Sequence, residues 1–180
     1  MIVSGVDESV VQESAPRELC LTLATLKATA TASRLEPGPL VLGCDSVLEF
    51  EGEIYGKPAD PEDAVGRWKR MRGRTGTLHT GHCLIDTASG RTVTEAAATT
   101  VRFGQLSDHE IARYVATGEP LRVAGGFTID GLGGVFIDGV DGDPGTVIGL
   151  SLPLLRRMLR QLDISLVDFW VDRTKTGTDE

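Results

Sequence analysis

Residues 42–48 read Leu-Gly-Cys-Asp-Ser-Val-Leu, an apolar run with a carboxylate at its centre, and Gly56-Lys57-Pro58 follows shortly after. A continuous run of this kind, entered through Pro37-Gly38-Pro39, is a strand covered on both faces. Asp45 inside it needs a cation, a metal or a pocket beside it, because an ionised carboxylate away from water is costly unless compensated. Glu51-Gly52 divides Val47-Leu48-Glu49-Phe50 from Glu53-Ile54-Tyr55, which is the pattern of a tight hairpin. Pairing across that turn returns Lys57 to nearly the level of Asp45, so a carboxylate and an ammonium share one small region.

The 180 residues are enough to bury about 70% of the unfolded surface, so one domain over residues 1–171 is expected, with a polar tail at 172–180. No apolar run approaches the length of a membrane span, and Met1-Ile2-Val3-Ser4 leads into acids without a basic start, so a cytoplasmic protein is expected. A formal charge of −8 repels a phosphate backbone and excludes nucleic-acid polymers as partners. Cys20, Cys44 and Cys83 are too far apart for a zinc knuckle or a redox pair and read as reduced core residues.

A helix over residues 16–34 is expected to turn Leu19, Leu23, Leu26 and Ala30 inward, with Lys27 on the same stripe, four residues after Leu23. Asp60-Pro61 opens a second helix with Ala64, Trp68 and Met71 inward. Strands over 76–86 and 92–103 join through Ala88-Ser89-Gly90. Ser107 to Glu110 is a capping box for a helix burying Ile111, Tyr114 and Val115. Residues 125–149, rich in glycine, should supply strands and tight turns around a cleft, and 152–162 an amphipathic helix carrying Leu155, Met158, Leu159 and Leu162 on one face.

Several motif classes drop out. Gly131-Leu132-Gly133-Gly134 lacks the third glycine of a dinucleotide fingerprint, and no Walker loop or nucleophile elbow is present. Asp60, Glu62 and Asp63 open a helix, where acids are favoured by its dipole. His79 and His82 lie three apart on a strand and point to opposite faces, so they do not chelate one ion. Asp138 to Asp143 lacks the twelfth-position carboxylate of a calcium loop and reads as turn chemistry. Glu8, Lys27, Asp45 and Lys57 remain: two acids and two lysines, the set needed for metal-assisted attack on a phosphoryl group.

Five motifs then line up in order: Asp7-Glu8-Ser9, Leu23-Ala24-Thr25-Leu26-Lys27-Ala28, Gly43-Cys44-Asp45-Ser46-Val47, Gly56-Lys57-Pro58 and Thr117-Gly118-Glu119-Pro120. In this order they resemble the motifs of the Maf proteins, nucleoside triphosphate pyrophosphatases of the inosine-triphosphatase-like superfamily. The likeness continues through Ala124-Gly125 and Gly131-Leu132-Gly133 to Val147-Ile148-Gly149-Leu150. The resemblance implies an α/β fold with a mixed twisted sheet, flanking helices and a central cleft. It also implies a divalent cation (magnesium or manganese), a nucleoside triphosphate substrate and a homodimer. Asp45 would accept the proton of the attacking water, and Glu8 and Asp45 would hold the metal. Glu8, Lys27 and Lys57 would bind the triphosphate, and Ser46 and Asp130 would stand where the base is chosen.

The sequence also departs from the family pattern. The Ser-x-Ser-Pro-Arg-Arg segment that the family carries ahead of its acidic motif has no counterpart before Asp7. The first strand's place in the sheet is therefore expected to be empty or filled by another segment. The alternative reading of the chain is a catalytically impaired nucleotide-binding or cell-division regulatory protein. Asp130 replaces a customary Gln, which exchanges a donor-acceptor amide for a carboxylate that only accepts and shifts base preference. Val123, Phe127 and Thr146 stand where Lys, Tyr and Asn are common.

Overall fold

The computed structural model describes residues 2–7, 11 and 15–170. Among them five strands form one sheet in the order β2-β1-β3-β4-β5, from β1 (Leu40–Phe50), β2 (Glu53–Tyr55), β3 (Thr75–Asp86), β4 (Thr92–Phe103) and β5 (Ile137–Asp141). The expected α/β sheet with flanking helices is present, but all four ladders are antiparallel where a mixed sheet was expected. Parallel pairing requires a strand–helix–strand crossover. No strand among the described residues precedes α1 (Pro16–Ala32), so no such unit arises at this end.

Tight turns join β1 to β2 and β3 to β4. Glu51 and Gly52 both take positive φ, 52° and 79°, the backbone of a two-residue hairpin whose twist matches its strands. β2 is short and covers only Leu48 to Phe50 of β1. Beyond that, residues 40–47 have no strand partner on their outer side among the described residues.

Alternation along β1 divides its side chains. Val41, Gly43, Asp45, Val47 and Glu49 face one side, while Leu42, Cys44, Ser46, Leu48 and Phe50 face the other. α1 lies on the first side, and it comes close because the sheet offers glycine there. A methyl group at Gly43 would sit 2.4 Å from the carbonyl oxygen of Ala24, and one at Gly81, opposite Asp45, would sit 2.2 Å from that of Cys20. The face that α1 buries is therefore its small residues, Cys20, Ala24 and Ala28, with Leu23 beside them. The expected leucine stripe is displaced by this packing, and Leu26 is exposed. α1 also ends at Ala32, two residues before the expected limit, where Arg34 and Leu35 bond back three residues to Thr31 and Ala32 as the turn tightens before Pro37.

The main core fills the other side at the β2 end. α2 (Pro61–Met71) starts at Asp60, whose side chain accepts from the Asp63 N–H, and buries Ala64, Trp68 and Met71. α3 (Asp108–Ala116) has the full capping box of Ser107 and Glu110 and buries Ile111, Tyr114 and Val115. Trp68 is the centre of this cluster, with its ring edge-on to Phe103 at 5.7 Å and to Tyr114 at 5.5 Å, and its Nε1–H donating to the Gly126 carbonyl at 2.9 Å.

The glycine-rich segment forms single 3₁₀ turns at Pro120–Arg122, Ala124–Gly126 and Leu132–Phe136, then β5 and the short α4 (Pro144–Ile148). Asp143, the last acid of the supposed calcium loop, caps α4 by accepting from the Gly145 N–H. α5 (Leu152–Gln161) buries Leu154, Met158 and Leu159 against Leu84, while the expected Leu155 is only partly covered. None of the helices among the described residues is long and apolar enough to cross a membrane. The 172–180 tail lies outside the described residues.

Candidate active site

Asp45 owes its position to β1 and to the glycine opposite it. With no side chain at Gly81, α1 settles onto the sheet and carries Lys27 to the Asp45 carboxylate, to which its ammonium donates directly. The two side chains are 22% and 11% exposed, so the pair is largely removed from water, where attraction between opposite charges is strong. Lys27 reaches Asp45 from the side of α1 that also carries Leu19 and Leu23, four-residue steps along one ridge. The carboxylate also affects its neighbours. Burial, and then the charge of Asp45, raise Cys44 to about 12 and Cys20 to about 11, so both remain neutral thiols at neutral pH.

A cavity of about 210 Å³ opens beside this pair, lined by Asp45, Ser46, Val47, Leu19, Leu23 and Lys57 among others. Three successive strand residues line one cavity only along a strand edge, and this part of β1 has no outer strand partner among the described residues. The hairpin delivers Lys57, which is exposed on the loop after β2. Ala124 closes the wall, held there by the Gly125 N–H donating to the Gly56 carbonyl at 3.0 Å. Gly125 has φ +69°, and a methyl on it would lie 2.8 Å from Leu48, so only glycine brings this turn so close.

The remaining site candidates are placed differently. Glu8 lies outside the described residues. Ser46 contributes to the cavity, but its hydroxyl meets Thr80 Oγ1 at 2.8 Å on the face opposite Asp45. Thr80 gives its one proton to the Thr146 carbonyl at 2.7 Å, so Ser46 is the donor and its remaining lone pairs are acceptors. Asp130 is exposed, does not line the cavity and accepts from the Thr128 hydroxyl. The structure therefore brings together Lys27, Asp45 and Lys57 and leaves Asp130 apart. Among the described residues no cluster of three metal-ligating side chains occurs.

Two further features lay beyond the sequence reading. Glu119, in the Thr-Gly-Glu-Pro motif, accepts from Tyr114 Oη at 2.9 Å and from the N–H groups of Leu132 and Gly133 at 2.9 and 2.8 Å. Burial alone would raise its pKa, but these donors together hold it below the usual carboxylate value. Glu119 thus anchors the start of α3's exit loop to the Leu132 turn. His79 and His82 do face opposite sides. His79 meets Glu49 at 2.9 Å, and His82 is fully buried, its Nδ1–H donating to the Thr80 carbonyl and its Nε2 accepting from the Ser151 N–H.

A roomier groove of about 630 Å³ lies at the C-terminal end, between Arg156, Arg160 and Trp170. Its carboxylate, Asp163, is exposed and paired with Arg91, and no lysine lines it, so the smaller cavity with Asp45 and Lys57 is the better site.

Comparison with known proteins gives a consistent picture. The model of the Maf-like protein family matches residues 1–162. The chain is 59% identical over 180 residues to the nucleoside triphosphate pyrophosphatase of Salinispora tropica, covering 98% of this chain and 80% of that one. The proteins of that name in Streptomyces coelicolor and Thermosynechococcus vestitus are 59% and 56% identical over 94% and 92% of this chain, each covered to 83% of its length.

Proposed function

The chain belongs to the Maf-like protein family, and from that premise we propose that it hydrolyses a nucleoside 5′-triphosphate to the monophosphate and pyrophosphate. The observation that carries the reading is one cavity lined by both Asp45 and Lys57, with Lys27 paired to the Asp45 carboxylate. A cavity of about 210 Å³ is smaller than the roughly 300–1,000 Å³ of sites that enclose a whole ligand. It suits the phosphate end of a nucleotide, with the nucleoside outside.

In the proposed reaction Asp45 accepts a proton from water as the water oxygen bonds to the α-phosphorus. The bond from that phosphorus to the bridging oxygen breaks, and pyrophosphate leaves with the electron pair. General-base assistance of this kind is worth about a hundred-fold to ten-thousand-fold. Lys27 holds the carboxylate in orientation, and Lys57 neutralises phosphate oxygens where charge gathers in the transition state.

The donor chemistry fits a magnesium or manganese ion. Such ions are held by one or two carboxylates together with substrate phosphates, and Asp45 supplies a carboxylate beside the cavity. Glu8 is the second carboxylate proposed from the sequence. The bound cation would supply charge neutralisation on the polyphosphate. Ser46 and Asp130 are proposed to act on base choice, and both offer acceptors, which favours a base edge rich in N–H groups. Cytoplasmic location and a homodimer complete the proposal.

The test is pyrophosphate release from a panel of purine and pyrimidine triphosphates, with Mg²⁺ or Mn²⁺. Release from at least one, lost on chelation of the cation, is expected. Triphosphate binding without release would overturn the reading in favour of a non-catalytic nucleotide-binding protein.

A further inference from the structure

A lysine on a loop binds a polyphosphate well only if its backbone is fixed before the ligand arrives. Lys57 is exposed on the segment between β2 and α2. On its N-terminal side the Gly56 carbonyl accepts from the Gly125 N–H and also from Arg67 Nη1 at 2.9 Å. On its C-terminal side the Ala59 N–H donates to Asp63 Oδ2 at 2.9 Å. Arg67 and Asp63 are themselves joined by a forked ion pair, Nε to Oδ1 at 2.9 Å and Nη2 to Oδ2 at 2.7 Å. One pair of side chains on the first turns of α2 thus grips both flanks of the lysine.

The grip is rigid for physical reasons. A guanidinium fork matched to a carboxylate fixes direction as well as distance. The Arg67 guanidinium lies 4.8 Å from the Tyr55 ring centroid, which sandwiches it between β2 and α2, and its side chain is only 18% exposed. Hydrogen bonding from Arg67 lowers the pKa of Asp63, so the carboxylate stays ionised well below neutral pH. Acids at a helix start are explained by the helix dipole, but the dipole does not account for a bond running outward to Ala59 or for an arginine spent on a loop carbonyl.

We propose that Asp63 and Arg67 are positioning residues that clamp residues 56–59 and thereby hold Lys57 ready for the triphosphate. The inference rests on the reading of Lys57 as a phosphate ligand. Neither residue touches substrate, and their effect passes through Lys57 alone. Loss of the clamp should therefore weaken triphosphate binding, and it should matter only while the lysine is present.

A double-mutant cycle decides the matter. Calorimetric affinity for a non-hydrolysable nucleoside triphosphate analogue with Mg²⁺ is measured for the wild type, Arg67→Met, Lys57→Ala and the double variant, with thermal unfolding of each as a check on folding. Arg67→Met should weaken binding about ten-fold, and the double variant should bind within about two-fold of Lys57→Ala. Unchanged affinity in Arg67→Met, or losses that simply add, would overturn the clamp. If Arg67→Met does not fold, Asp63→Asn enters the cycle in its place with the same criteria. A wild type that binds the analogue but releases no pyrophosphate from triphosphates would remove the hydrolysis reading and leave the clamp standing. A wild type that binds no triphosphate would remove both.

Discussion

Asp45 is a carboxylate that the fold largely buries beside a lysine. Lys27 provides the compensating charge from α1, and the neighbouring thiols, held neutral, do not compete for the role of nucleophile. Replacing Asp45 with Asn keeps the shape and removes the proton acceptor. Pyrophosphate release by Asp45→Asn should fall by about a hundred-fold or more, measured as kcat under saturating triphosphate. Full turnover in that variant would remove the base assignment. Each member was legible in the sequence, Asp45 as an interruption of an apolar strand and Lys27 as one helical repeat from Leu23, but the lysine expected beside Asp45 was Lys57 across the hairpin, and the ion pair is made by Lys27 instead. Glu119 was not legible in this way. Its motif was visible, but two of its three donors are backbone N–H groups of Leu132 and Gly133, and backbone partners leave no mark on side-chain spacing.

At the scale of elements, the contact of α1 with the sheet decides whether Lys27 reaches its partner. Side-chain hydrophobicity pointed to a leucine stripe, but the inward face is made of Cys20, Ala24 and Ala28, because glycines at 43 and 81 admit the helix backbone itself. A sequence read one element at a time does not show what the facing surface lacks, which is why the helix was found and its face was not. The caps at Asp60 and Ser107 were legible for the converse reason, since their bonds close within four residues. Gly81→Ala puts a methyl group against the carbonyl of Cys20, at a distance of 2.2 Å before any movement. Overpacking of this sort costs about 1–3 kcal/mol. The variant should unfold at a lower denaturant midpoint and lose activity beyond its loss of stability, because α1 moves Lys27 with it. An Arg or Lys elsewhere on α1 would not restore that activity.

Across the whole molecule, His82 links the centre of the sheet to the start of α5, and it does so only as a neutral ring. Burial lowers its pKa, and the opposing pull of the Thr80 carbonyl and of Asp143 and Glu95 does not make up the difference. Protonation of Nε2 would also remove the acceptor for Ser151. In the unfolded chain the imidazole titrates near about 6.5. Between that pH and the lower folded value the unfolded state binds more protons, so stability rises with pH in this window and its contribution is complete above it. Thermal unfolding should therefore shift downward as the pH is taken from 7 to 5, and His82→Gln, though less stable at pH 7, should show a flatter profile. A wild-type midpoint that does not move over this range would contradict the neutral buried ring. The indole of Trp68 offers a direct optical view of the cavity wall, since it holds the Gly126 carbonyl two residues from Ala124, while the second tryptophan, Trp170, is exposed at the far groove. A Trp170→Phe protein would thus carry a single shielded fluorophore, and its emission would report nucleotide occupancy in real time without a label.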